Sequence, residues 1–337
     1  MKLIDLRSDT VTRPTKAMMK VMMDAPVGDD VFGEDPTINR LQELVAEMAG
    51  HEAAIFAPSG TQTNLMALMS FCERGDEFIV GQQAHTYLYE GGGAAVLGSI
   101  QPQPLDFESN GTLNLNKVAG LIKPGEDHFA TTKLLCLENT TNGVALPMDY
   151  FEKASSFTKQ HKLGLYLDGA RIFNALVKRG AKLKDITSHF DAASLCLSKG
   201  LGAPGGSVLL GSKEFIKIAH KWRKLLGGGM RQVGILAAAG IYALGNNIER
   251  LAEDHENAQL LFDGLSQIEG LKVSYPESQT NMCFVEIAQD QVAPFVDFMK
   301  KTNIVLYPNK NLRLVTHLDV SKEDIMRVVA GFKNYFG

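Results

Sequence analysis

Residues 194–212, SLCLSKGLGAPGGSVLLGS, hold one lysine, Lys199, in a run with no other charged side chain. The apolar pieces on either side of it, ASLCLS and GSVLLG, lack the alternation of a half-exposed strand, so each predicts a strand covered on both faces. Between them GLGAPG, Gly200 to Gly205, matches G-x-G-x-x-G. That pattern binds dinucleotides only where it follows a strand and opens a helix. Here Pro204 and a second strand follow, which argues against that use. A lysine at a strand end is commonly a surface residue. One placed among Leu195, Leu197, Leu201 and Val208 is unfavourable as an ammonium unless its charge is lost or paired, and a neutral amine there is a nucleophile able to form a Schiff base.

The same apolar character recurs in EFIVG (77–81), KLLCLE (133–138) and LGLYLD (163–168). Helical stretches at Asp149–His161 and Leu183–His189 fit crossovers between them, which predicts an α/β fold with a mainly parallel sheet and helices on both faces. Residues 34–50, EDPTINRLQELVAEMAG, read as a helix capped by Asp35, opened by Pro36 and ended by Gly50, with Ile38, Leu41, Leu44, Val45 and Met48 inward. A second helix is expected from about Ser59 to Gly75, burying Leu65, Leu68, Met69 and Cys72. From residue 246 the pattern changes to a long helix, NNIERLAEDHENAQLLFDGLSQI, then strand-like LKVSYP and NMCFVEI, a helix near Val292–Thr302 and a last strand and helix. The predicted organisation is a large domain over 1–245, including an N-terminal arm, and a smaller α+β domain over 246–337.

The net charge of the 337-residue chain is −4 with no block of like charges, so nothing points to nucleic acid or an anionic membrane as partner. Cys72, Cys136, Cys196 and Cys283 have no C-x-x-C spacing and read as reduced thiols. MKLIDLRSDT is too charged for a signal peptide, and VGILAAAGIYALG is too short to span a bilayer, so a cytoplasmic location is expected.

In sheets of this class, ligands lie beyond the carboxyl ends of the strands. There the sequence places Glu138 with Asn139, Asp168 with Gly169, and Ser198 with Lys199. Asp168 can cap the next helix or hold a protonated pyridine nitrogen, the partner that makes pyridoxal phosphate an electron sink. Arg171 can bind a carboxylate bidentately or pair with Asp168. Gly60 and Thr61, at the start of the second helix, offer an anion site, and Arg231 sits in the glycine-rich GGGMRQVG. His85, at a sheet edge, can stack on a planar cofactor, whereas His128 lies in a polar loop. No pair among the eight histidines has ligand spacing with a carboxylate or cysteine, so no metal site is expected.

Taken together and in order, IDLRSDTVTRPT, VGDDVFGEDPT, AIFAPSGTQTNLMAL, AHTYLYEGGGAAVLGSIQPQ, LDGARIFNA, LSKGLGAPGGS, KWRKLLGGGMRQVGILAAAGIYAL and RLVTHLDVS make the chain resemble the pyridoxal-phosphate-dependent L-threonine aldolases of the low-specificity bacterial type. The resemblance implies the seven-stranded aspartate-aminotransferase-like fold and a homotetramer with active sites shared between subunits. It assigns Lys199 to the Schiff base, Asp168 to the pyridine nitrogen and His85 to ring stacking. Gly60 and Thr61 would bind the phosphate with Arg231 from an adjacent chain, and Ser8, Arg171 and Arg313 the substrate carboxylate. The implied reaction is cleavage of L-threonine and L-allo-threonine to glycine and acetaldehyde. His85, His128 or a water on the cofactor phosphate would be the base, and little discrimination at Cβ is expected. An aminotransferase or a β-eliminating lyase of the same fold is the alternative. Two departures stand out: ENTTNG puts Thr141 where relatives carry a histidine, with an expected effect on hydroxyl recognition, and Phe32 lacks a tyrosine's hydroxyl.

Overall fold

Successive residues of each apolar run face opposite sides of one sheet, and both sides are covered. In a computed structural model that describes residues 2–337, the strands are β1 (Ile4–Asp5), β2 (Ala53–Ala57), β3 (Asp76–Gly81), β4 (Gln101–Leu105), β5 (Thr131–Glu138) and β6 (Gly164–Gly169). They continue with β7 (Ala192–Cys196), β8 (Ser207–Gly211), β9 (Lys272–Ser274), β10 (Met282–Glu286), β11 (Ile304–Val305) and β12 (Asn311–Val315). The main sheet has seven strands in the order β2-β8-β7-β6-β5-β3-β4. Strands β3 to β7 pair in parallel, while β8 runs antiparallel to both β7 and β2.

On β6, Leu165 and Leu167 join the core on one face, with Ile38, Phe151, Ile172 and Ala237 from the covering helices. Tyr166 points the other way, to Leu65, Met66 and Ile216. Burial on both faces is what removes the polar half of the usual strand pattern.

The edge strands were not among the sequence expectations. β4 contains Pro102 and Pro104, which cannot donate to a ladder, and it pairs with β3 alone. The helix expected to end at Gly75 is Gly60–Phe71, with Cys72 already extended. Glu73 and Asp76 close a turn there, Glu73 N–H donating to Asp76 Oδ2 at 2.7 Å, and this delivers the chain into β3. The helix expected from residue 246 is Leu251–Leu265, and it follows a separate helix, Gly234–Asn246.

A third core cluster combines Leu261, Phe295 and Phe332 with Ile4 and Leu6, and β1 pairs in parallel with β11. The N-terminal arm, expected with the large part, therefore touches both parts. Its first strand packs with the C-terminal cluster, whereas Thr12 Oγ1 donates to the carbonyl of Lys199 at 2.9 Å. All four cysteines are free and buried. Among the described residues no helix is long and apolar enough to cross a membrane.

Asp35 ties two helix starts together. Its Oδ1 accepts from Thr37 and Ile38 N–H at 3.0 Å each, and its Oδ2 accepts from Gly234 N–H at 2.8 Å. Loss of these buried acceptors in Asp35→Ala is expected to lower the unfolding free energy by about 2 kcal/mol or more. Urea denaturation checks this, and an unchanged midpoint at equal slope would contradict it.

Candidate active site

Strand ends β5, β6 and β7 and the start of the helix Gly60–Phe71 surround a cavity of about 120 Å³, lined among others by Gly60, Thr61, Asn64, His85, Asp168 and Lys199. Ser59 Oγ caps the helix by accepting from Gln62 N–H at 3.2 Å. The N–H groups of Gly60 and Thr61 have no acceptor among the described residues and carry the positive end of the helix dipole. Lys199 is half-buried in the turn from β7 to β8, its carbonyl accepting from Gly202 N–H at 2.8 Å. The glycines that imitate a nucleotide motif serve this turn. Gly202 has φ +76°, and at Gly206, φ +104°, a Cβ would lie 2.3 Å from the Phe56 ring.

Asn64 organises the acids. Its amide donates to Asp168 Oδ2 at 2.8 Å and to Glu90 Oε1 at 2.7 Å. Its carbonyl accepts from Tyr166 O–H at 2.6 Å and Ser194 O–H at 3.0 Å. Asp168, 2% exposed, also accepts from Ala170 N–H at 3.0 Å. His85 Nδ1 and Glu90 Oε1 are hydrogen-bonded at 2.8 Å, and that bond raises the histidine pKa. Burial raises Glu90, with the charge of Asp168 adding to the effect. His85, Glu90 and Asp168 offer ligand atoms within 4.8 Å of one another, a grouping that the histidine spacing did not reveal, and the Asn64 amide donates to both acids.

A second cavity of about 440 Å³ shares Lys199 and His85 with the first and is lined also by Ser8, Glu138, Arg171 and Arg313. Arg171 pairs with Asp9 and not with Asp168: Nε and Nη2 donate to the carboxylate at 2.8 and 2.6 Å. Burial would push the Asp9 carboxyl up, but the guanidinium outweighs it and holds the pKa at about 2. Arg313 is half-buried without an acidic partner among the described residues, its Nη2 reaching only the Arg7 carbonyl at 3.5 Å. Burial and the neighbouring Arg171 lower its pKa, so the pair favours an anion. Thr140 lines this cavity too, and its Oγ1 is buried without a partner.

Three expected residues stand elsewhere in the chain. His128 is exposed in the loop before β5, at the opposite end of that eight-residue strand from Glu138, about 25 Å away by strand rise. Arg231 is exposed and pairs with Asp29 at 2.9 Å, outside both cavities. Thr141 is buried and donates to the carbonyls of Gly111 and Glu138, so its side chain serves the turn after β5 and lines neither cavity. Phe32 is exposed. Conversely, Asp9, Asn64, Glu90 and Glu138 went unassigned in the sequence; only Glu138 carried a signal there, as a polar residue ending an apolar strand.

Asp9, depressed in the fold, contributes stability above its unfolded pKa and loses it as pH falls toward 2. The shift corresponds to roughly 2 kcal/mol. Between pH 7 and pH 2 the wild type should therefore lose about that much more stability than Asp9→Asn. Equal losses in acid denaturation would contradict the pairing.

A family model described as beta-eliminating lyase matches residues 5–288. The low-specificity L-threonine aldolase of Escherichia coli K12 is 56% identical over 99% of both chains. The probable low-specificity L-threonine aldolase 2 of Arabidopsis thaliana is 43% identical over 99% of this chain and 97% of its own. Among solved structures, a Leishmania major threonine aldolase superposes with a TM-score of 0.86 at 21% identity, covering 99% of this chain and all of that one. A putative L-allo-threonine aldolase of Listeria monocytogenes gives 0.80 at 21% identity, over 98% and 96%. These two show the fold, and the sequence relatives show the rest: this chain belongs to the low-specificity L-threonine aldolase family of the beta-eliminating lyases.

Proposed function

We propose that the protein cleaves L-threonine and L-allo-threonine to glycine and acetaldehyde with pyridoxal 5′-phosphate as cofactor and little discrimination at Cβ. The observation that carries this reading is the convergence of Lys199, Asp168 and two arginines on two cavities that share Lys199 and His85. The donor set fits the cofactor: free N–H groups at Gly60 and Thr61 for its phosphate, a buried carboxylate at Asp168 for its ring nitrogen, and the Lys199 amine for its carbonyl. His85, half-exposed between the cavities, would stack on the ring. When bound, the cofactor supplies an electron sink for the bond that breaks.

Arg171, oriented by Asp9, and Arg313 would hold the substrate carboxylate, with Ser8 at the edge of the same cavity. Fixing the carboxylate fixes rotation about the bond to the amino group, which selects the Cα–Cβ bond for cleavage by orientation. Because nothing in this clamp engages the β-substituent, either Cβ configuration is accommodated.

The proposal extends to assembly and place. Arg231, which stands outside its own chain's cavities, would reach a neighbour's site in a homotetramer. A large cofactor-binding part over 1–245 and a smaller one over 246–337 would close around the substrate. Buried, unpaired cysteines suit a reducing cytoplasm.

Purified protein with added cofactor should release acetaldehyde from both epimers, and Lys199→Ala should release none; persistent release by the variant would sink the reading. Arg313→Leu is expected to raise KM for L-allo-threonine at least tenfold, and an unchanged KM would remove Arg313 from the carboxylate site.

A further inference from the structure

Glu138 ends β5 and is the sole carboxylate among the described residues lining the larger cavity, where it stands beside Lys199, Arg171 and Arg313. Its Oε2 accepts from the backbone N–H of His85 at 2.8 Å. Its Oε1 makes no hydrogen bond among the described residues. Cleaving Cα–Cβ requires an acceptor for the β-hydroxyl proton within the cavity that takes the substrate. His128 lies at the far end of β5, and His85 has Nδ1 committed to Glu90 and would have its face against the cofactor.

We propose that Glu138 is the catalytic base that takes the β-hydroxyl proton, an assignment that rests on the aldol-cleavage reading. The proton passes to Oε1 and the O–H electron pair becomes the second bond of the aldehyde carbonyl. The Cα–Cβ pair stays with Cα, which is then protonated to give glycine. Glu138 returns its proton to water through the open cavity.

The surroundings suit the task. Burial raises the Glu138 pKa to about 7 and Asp168 on β6 adds to this, while His85 from its short helix and Lys199 from the β7–β8 turn pull it back. Arg171, just ahead of its helix, faces it as well. A base with a pKa near the working pH combines availability with driving force. The carboxylate form prevails above about pH 7, so activity should rise through that value.

Glu138→Gln keeps an acceptor for His85 N–H and removes the proton acceptor. In the cofactor-loaded enzyme, kcat/KM for acetaldehyde release from L-allo-threonine should fall about 10²- to 10⁴-fold, and the rise through pH 7 should vanish. Exchange of the glycine α-proton for deuterium, followed by NMR, needs no β-hydroxyl base and should persist within a few-fold, as should cofactor absorbance and the melting temperature. Glu138→Asp should recover part of the lost rate. Unchanged acetaldehyde release in Glu138→Gln would overturn the assignment. So would an equal loss of release and exchange, which would mark Glu138 as a positioning residue for His85. Wild-type enzyme that exchanges glycine protons yet releases no acetaldehyde would instead overturn the aldolase reading, and this assignment with it.

Discussion

A sheet buried on both faces tolerates charge only where its strands stop, and this constraint arranges the chemistry of the molecule. On β6 and β7 the positions ahead of the carboxyl ends carry no charge, and Glu138, Asp168 and Lys199 come at or just beyond the carboxyl ends of β5, β6 and β7. Parallel pairing aligns those ends at one edge. The β7–β8 hairpin adds the turn that presents Lys199, with Gly202 and Gly206 in conformations other residues rarely adopt.

Crowding charges at one edge creates an electrostatic demand. Burial raises Glu90 and Glu138, and the charge of Asp168 adds to the effect on both. Asn64 relieves part of it by donating to Glu90 and Asp168. On the other side Arg171 has its acid in Asp9, while Arg313 makes no salt bridge among the described residues and faces the larger cavity with its charge unpaired. An anionic group on the substrate would complete that balance. A cofactor with a cationic ring nitrogen and an anionic phosphate would complete the balance at Asp168 and at the helix start.

Much of this was legible in the sequence because it depends on local pattern. Apolar runs, the caps at Asp35 and Gly50, and polar residues at strand ends are each written within a few positions of one another. The edge strands were not legible: prolines disguise β4, and Ala53–Ala57 is short and weakly patterned. Nor were Asp9 and Asn64, since their partners lie 162 and 104 positions away and a lone aspartate or asparagine carries no periodic signal. Thr141, a departure within a recognisable motif, has a side chain that the fold uses to hold a turn, a contact that carries no local sequence signal.

Under the proposed function, Lys199 is the amine that would hold the cofactor in the cavity at the strand ends. Reducing the cofactor-loaded protein with borohydride and mapping the modified peptide by mass spectrometry tests this most directly. The expected result is a single pyridoxyl modification at Lys199. Modification of a different lysine under the same conditions, or none at all, would contradict it.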